Sequence, residues 1–288
     1  MTTTIATEVW APATVQPIDD VRHPAARRVA DVLRSRSARP RVFVLDDLEN
    51  IEQAVTSGIV LHSLYVTGAA RDRVLPVLAG VGPDVPHYVL GEAVARALFG
   101  EQKSARVFAL AHAPRPSKLH DLIGVAGDVA VLDGVRIVGN IGAITRTVCA
   151  LGAAGVVLLD SGLRTTLDRR LIRASRGLVF ATPVILAGRA ECVDFIRREG
   201  LTVAALSADA AQPLRAIRAV HERLALVFGG EREGIGPELN EVTTYRYAIP
   251  MNSMVDSLNV SVTAGIALYE HAFREQKTPE SRGFRGSV

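Results

Sequence analysis

The chain has little of several things that would each mark a function class. Only two cysteines occur, Cys149 and Cys192, far apart and each in a helix-like stretch, so they read as buried thiols of a reducing compartment rather than a bridge. Neither they nor the seven histidines show zinc spacing, and no metal site is expected. No run approaches the roughly 20 apolar residues that cross a bilayer, so no membrane partner is expected. The opening residues, MTTTIATEVWAPATVQP, lack both a basic start and an apolar stretch before a cleavage site, which argues against export and for a cytoplasmic protein. No G-x-G-x-x-G follows a strand, no G-x-x-x-x-G-K-[ST] occurs, and G-x-S-x-G is missing. Those absences argue against a Rossmann dinucleotide site, a nucleotide triphosphatase and a serine hydrolase.

What is present is a soluble composition, 48% hydrophobic and 22% charged, over 288 residues, enough for two ordinary domains. Net charge is only +3, but it is unevenly spread. Residues 21–41 carry Arg22, Arg27, Arg28, Arg34, Arg36, Arg39 and Arg41 against one acid, Asp31. Such a cluster suits a polyanion, because neutralising phosphates supplies much of nucleic-acid affinity. A solvated arginine-rich helix would look the same.

Residues 1–112 alternate short apolar runs (42–45, 59–66, 85–90 and 105–111) with helical patterns, which reads as a small α/β domain. A linker is expected at 113–121, where Pro114 and Pro116 lack amide donors. From 122 to 278 the alternation is cleaner, with strands expected at DVAVLD, GVVLLD, TPVILA, TVAAL, RLALVFG and YRYAIP. A βα series of this kind implies a parallel sheet covered on both faces. A helix after GNIGA carries Ile144, Val148 and Leu151 on one face and ends at Gly152; a last helix, 257–275, groups Val260, Ala264 and Leu268. Residues 279–288 read as a mobile tail.

Three polar or glycine-rich segments fall at expected strand ends: VGNIGAITRT (138–147), LVFGGEREGIG (226–236) and IPMNSMVDSLNVSVTAGIAL (249–268). In an open parallel sheet ligands gather outside the carboxyl ends of strands, so the three are expected to share a pocket. Singly, Gly229, Gly230 and Gly234 could be turns, and Asn140 and Asn259 helix caps. In this order they resemble the signature motifs of the SPOUT superfamily, specifically SpoU-type RNA ribose methyltransferases. Asn140 and Arg146 stand in N-x-G-x-x-x-R, Gly229, Glu231 and Gly234 in F-G-x-E-x-x-G, and Ser257, Leu258 and Asn259 in S-L-N-V-S. The likeness spans nearly the whole chain, RRLIRASRG at 169–177 included, and at this length it is nearest the thiostrepton- and nosiheptide-resistance 23S rRNA methyltransferases.

The resemblance implies a C-terminal α/β trefoil-knot domain, an exception to unthreaded chains, behind a smaller ribosomal-protein-like RNA-binding α/β domain. It implies S-adenosylmethionine as cofactor, a homodimer, and 2′-O-methylation of an adenosine ribose in 23S rRNA that confers thiopeptide resistance. A housekeeping SpoU-type enzyme acting on another rRNA or tRNA site is the alternative. Leu206, Ser207, Gly229, Gly230, Ile249, Met251, Ser257 and Leu258 are expected around the cofactor. Asn140, Arg146, Glu231, Ser257 and Asn259 are expected to carry catalysis, with Arg146 at the target ribose, often from the partner subunit. RNA contacts are assigned to Arg146, Arg176, Arg22, Arg27 and Arg28; Arg169, Arg173 and Arg176 are expected near one helical face, for which a solvated face is the other reading. Phe99 and Phe108 could stack on bases, although core packing is their commoner fate.

Overall fold

The computed structural model describes residues 15–70, 85–100, 107–231 and 233–274, so the expected tail at 279–288 lies outside the described residues. Two compact units divide the chain, one of residues up to 115 together with 167–181, the other of 116–166 with 182 onward.

The first unit holds a mixed sheet in the order β1-β4-β3-β5-β2, formed by β1 (Val15–Ile18), β2 (Val42–Asp46), β3 (Leu61–Thr67), β4 (His87–Leu90) and β5 (Val107–His112). Helices α1 (Pro24–Arg34), α2 (Leu48–Thr56) and α3 (Glu92–Phe99) accompany it. β1 was not anticipated: its VQPI has one buried position, too few for an alternation to register. Tyr65 and Phe108 are fully buried and stack with centroids 4.7 Å apart, and Phe99 meets Phe108 edge-on, so both phenylalanines serve the core.

Residues 167–181 join this unit although they lie far along the chain. They bring α5 (Arg169–Ala174), whose Arg169 donates through Nε and Nη2 to the two oxygens of buried Asp46 at 2.7 and 2.6 Å. A two-pronged guanidinium–carboxylate pair fixes direction as well as charge. Gly177, with φ +76°, lies so near Gln53 that an added Cβ would stand 2.9 Å from its side chain. The expectation of three arginines on one helical face needs correction. α5 ends at Ala174, Arg176 lies beyond it with φ 51°, and Arg173 and Arg176 pair with Asp47 and Glu49 at 3.6 and 3.3 Å.

The second unit is built on a seven-stranded, wholly parallel sheet in the order β10-β12-β9-β11-β6-β7-β8. Its strands are β6 (Val129–Asp133), β7 (Gly155–Leu159), β8 (Val184–Ala187), β9 (Thr202–Leu206), β10 (Gln212–Pro213), β11 (Leu224–Gly229) and β12 (Tyr245–Ala248). Every residue of β6 and β7 is buried, as strands covered on both faces require. The chain runs outward through β6, β7 and β8, crosses to β9 on the other side, and later lays β11 into the gap between β9 and β6. This reversal is the kind of switch point where a crevice opens beyond the strand ends.

Four helices matter here: α4 (Val138–Leu151), α6 (Arg189–Arg198), α7 (Pro237–Glu241) and α8 (Val260–Ala272). α4 ends at Gly152 in the left-handed region as expected, but it begins at Val138, so GNIGA lies inside the helix and Asn140 is not a cap. Asn259 does cap α8, accepting from the Ser261 amide at 2.8 Å. α8 is three residues shorter at its start than expected of a helix from 257, because that cap begins it at Val260; Val260, Ala264 and Leu268 are all buried. Its base is tied to the sheet by His271, which is completely buried between the Asp128 carboxylate at 2.5 Å and the Val220 carbonyl at 3.0 Å. Asp128 also accepts from the Leu224 amide at 2.9 Å. Burial pushes the Cys192 thiol up to about 12, so it is inert packing.

Among the described residues no helix is long and apolar enough to cross a membrane. Replacing His271 with leucine strands a buried carboxylate and is expected to cost about 3 kcal/mol. Urea unfolding measures this, and an unchanged midpoint would show that the pair does not hold α8 in place.

Candidate active site

Because β6, β9, β11 and β12 are parallel and in register, their carboxyl ends come out together: Gly229 pairs with Asp133, and Leu206 lies between Phe228 and Tyr247. Four segments leave this edge, and each is held by short-range constraints of its own.

The segment after β11 is folded onto the end of β6. The Gly230 amide donates to the Asp133 carbonyl at 2.7 Å, the Gly234 amide returns to the Gly230 carbonyl at 3.0 Å, and Gly234 has φ +66°. Side chains are excluded by proximity, since a Cβ on Gly229 would meet the Gly234 carbonyl carbon at 2.5 Å and one on Gly230 the Gly134 oxygen at 2.5 Å. The fully buried Asp133 carboxylate completes the clamp, accepting from the Gly236 amide at 2.7 Å and from Arg189 Nε at 2.7 Å. That bond raises the Arg189 guanidinium above its usual range.

Asn140, in the first turn of α4, and Asn259, capping α8, complete a relay across three segments. Asn259 Oδ1 accepts from the Ser261 amide and hydroxyl, which leaves its Nδ2 to donate to Asn140 Oδ1 at 3.2 Å. Asn140 Nδ2 is then free to donate to Glu231 Oε1, also at 3.2 Å. Each amide orientation is set by the one before, ending on a carboxylate that can only accept while ionised.

Beside this relay opens a cavity of about 870 Å³, within the range that encloses a small organic cofactor. All eight residues expected around the cofactor line it: Leu206, Ser207, Gly229 and Gly230 from the ends of β9 and β11, and Ile249, Met251, Ser257 and Leu258 from the segment before α8. Glu231 lines it too, as does Thr263. Sequence reasoning passed over Asp209, Asn240, Arg246 and Tyr247, which also face it. Asp209, bonded to the Ser207 hydroxyl, is held below the usual carboxylate range by that bond and by its own backbone amide, while burial raises the Tyr247 phenol. Only the sequence neighbourhood of Asp209 to Ser207 hinted at it. Asn140 borders a second cavity of about 280 Å³. Arg146 borders neither: it is exposed on α4, with no ion pair or hydrogen bond among the described residues.

Comparison with known proteins bears on this geometry. Residues 15–125 match the family described as thiostrepton-resistance methylase, N terminus, and residues 128–269 match the SpoU rRNA methylase family. A 23S rRNA (adenosine(1067)-2′-O)-methyltransferase of Streptomyces laurentii is 41% identical over 267 residues, 93% of this chain and 99% of the relative. The chain belongs to the SpoU rRNA methylase family. A second relative of the same description, from Streptomyces azureus, is 38% identical over 87% of this chain and 93% of its own length. Among solved structures, the AdoMet-bound rRNA methyltransferase from Sinorhizobium meliloti superposes with a TM-score of 0.73 at 25% identity, covering 89% of this chain and 97% of that one. The fold is therefore the SPOUT α/β trefoil-knot class preceded in the chain by a smaller domain, and the residues that match the SpoU family take in most of the second unit together with 167–181 of the first.

Gly230→Ala is expected to force the 230–236 turn off Gly134 and to destabilise the protein by about 2 kcal/mol. Hydrogen exchange at the Gly234 and Gly236 amides should quicken selectively; wild-type protection there would mean the turn does not need the glycine.

Proposed function

We propose that this SpoU family member transfers a methyl group from S-adenosylmethionine to the 2′-oxygen of an adenosine ribose in 23S rRNA, and that the added methyl confers resistance to a thiopeptide antibiotic. The reading is carried by one observation: the Asn259–Asn140–Glu231 relay ends at the wall of a cavity lined by every position expected for the cofactor. The 41% identity to an adenosine-specific 23S rRNA methyltransferase supports the substrate.

The cavity's chemistry fits the cofactor. Gly229 and Gly230 let backbone approach closely, Leu206, Ile249 and Leu258 offer apolar contact to an adenine, and Glu231 and Asp209 suit a cationic sulfonium. When bound, S-adenosylmethionine supplies a sulfonium methyl that the ribose oxygen displaces in line. The protein's own contribution is mainly positional, since holding reactants in a near-attack arrangement can account for much of such a barrier. Glu231, aimed by Asn140, orients the ribose hydroxyl and, with water, is the chemically simple acceptor of its proton. Arg146 has no acceptor atom and almost never loses its proton, so it anchors ribose or phosphate rather than acting as a base. Ser257 and Asn259 brace the same corner.

Arg146 is exposed and lines neither of these cavities, and the reading in which it serves a partner's site accounts for that. Two large apolar residues on α8, Val262 and Tyr269, are 49% and 53% exposed and stand one heptad apart on one face, a surface suited to a second copy in a homodimer. In the first unit Arg22, Arg27 and Arg28 are exposed, their guanidinium groups have no ion pair or hydrogen bond among the described residues, and they are available for RNA phosphates. The cytoplasm, where ribosomal RNA is made, is the matching location. A methyl group can block a drug by removing a hydroxyl donor and adding bulk at its contact.

Incubation with labelled S-adenosylmethionine and 23S rRNA, followed by alkaline digestion, should leave a labelled alkali-resistant dinucleotide; fully alkali-labile label would reject ribose methylation. Arg146→Ala is expected to abolish transfer, at least about 100-fold, while cofactor affinity measured by calorimetry stays within about 3-fold. Equal loss of both would move Arg146 to the cofactor. Replacing Arg22, Arg27 and Arg28 with alanine together should weaken RNA binding and reduce the slope of log affinity against log salt by about 2; an unaltered slope would return them to ordinary surface.

A further inference from the structure

The second cavity, of about 280 Å³, opens where β6 ends and α4 begins, and it shares Gly230, Glu231 and Val260 with the larger one. We propose that it is the pocket for the target nucleoside, which enters as an everted sugar and base while its flanking phosphates stay outside. The inference rests on the methyltransferase reading above and goes beyond it by locating the substrate.

Three observations support it. First, the reacting oxygen must come within contact distance of the transferred methyl, and two cavities that share Gly230, Glu231 and Val260 in their walls suit that demand. Secondly, the size is right for one unit. The cavity lies just under the range of about 300–1,000 Å³ that encloses drug-sized ligands, so it holds a nucleoside and not a stretch of strand. Enzymes that act on a nucleotide commonly take it out of its stack into such a pocket, and unstacked loop bases are the parts of RNA that proteins read.

Thirdly, the polar groups select a neutral ligand. Glu231 and Glu233 face the cavity against a single guanidinium, that of Arg136, which is already bonded to Asp160. The excess of negative charge repels a phosphodiester but accepts hydrogen bonds from ribose hydroxyls and an exocyclic amine. Donors are at hand as well. Ile137 precedes α4 at the cavity wall and no side chain caps the helix, so the amides of its first turn have no partner within the helix. A ligand carrying both donors and acceptors, as a nucleoside does, is complementary to that combination.

Ile137 is half exposed at this wall, so Ile137→Trp narrows the cavity without disturbing the core. With full-length protein and a 23S rRNA fragment, this variant should bind S-adenosylmethionine within about 2-fold of wild type yet methylate at least about 30-fold more slowly in single turnover. Wild type should also methylate a fragment abasic at the target at least about 30-fold more slowly than the adenosine fragment, a preference the variant loses. Should Ile137→Trp fail to bind cofactor, Glu233→Gln replaces it, with an expected fall of about 10-fold in kcat/KM for RNA at unchanged cofactor affinity. A variant that binds cofactor and keeps wild-type methylation, or a wild type indifferent to the missing base, overturns the pocket while leaving the enzyme reading intact. A wild type that transfers no methyl to any ribose overturns both.

Discussion

A carboxylate with no exposed surface sits at the end of β6, beside the middle strand of the second unit's sheet, and the site depends on it. Asp133 engages the 229–236 segment twice, through its carbonyl to the Gly230 amide and through its side chain to the Gly236 amide, with Arg189 supplying the compensating charge. An ionised group there is tolerable only because each oxygen is satisfied. With both ends of the turn fixed to one residue, Glu231 is presented at a definite place, where Asn140 can reach it.

The rest follows from geometry that one residue of slippage would ruin. Parallel registry puts Asp133, Gly229 and Leu206 at a common edge, and the late insertion of β11 between β6 and β9 brings the glycine turn against a strand laid down almost a hundred residues earlier in the chain. Small residues are demanded there by contact distances, and polar ones by the relay. The larger cavity's walls therefore mix glycine and apolar side chains with polar ones, and its charged side chains are Asp209, Glu231 and Arg246.

The first unit uses the same chemistry for a different end. Asp46, at the end of β2, holds Arg169 in a two-pronged pair, and the exposed pairs from Arg173 and Arg176 to Asp47 and Glu49 add little by themselves. Arginines that look available to RNA in the sequence are here already facing carboxylates, whereas Arg22, Arg27 and Arg28 are not held in this way. A basic stretch indicates what surface could do; the neighbours decide what it is free to do.

Much of this protein is dictated locally and so is legible from residues alone. Apolar runs such as VAVLD and LALVF must be covered strands, Gly152 must end a helix, and the three motifs must lie at strand ends. Local patterns could not show that GNIGA is helical, since its glycines favour turns until packing against α8 overrides them, nor that VQPI would pair with β4. Pairings such as Asp133 with Arg189, Asp46 with Arg169 and Asp128 with His271 join residues 56, 123 and 143 positions apart. Nothing in a one-dimensional pattern records which distant charges meet, because that choice is made by the order of strands in the sheet. The residue types of the site were therefore set by sequence, and their relay, the second cavity and the outward position of Arg146 were settled only when the chain folded.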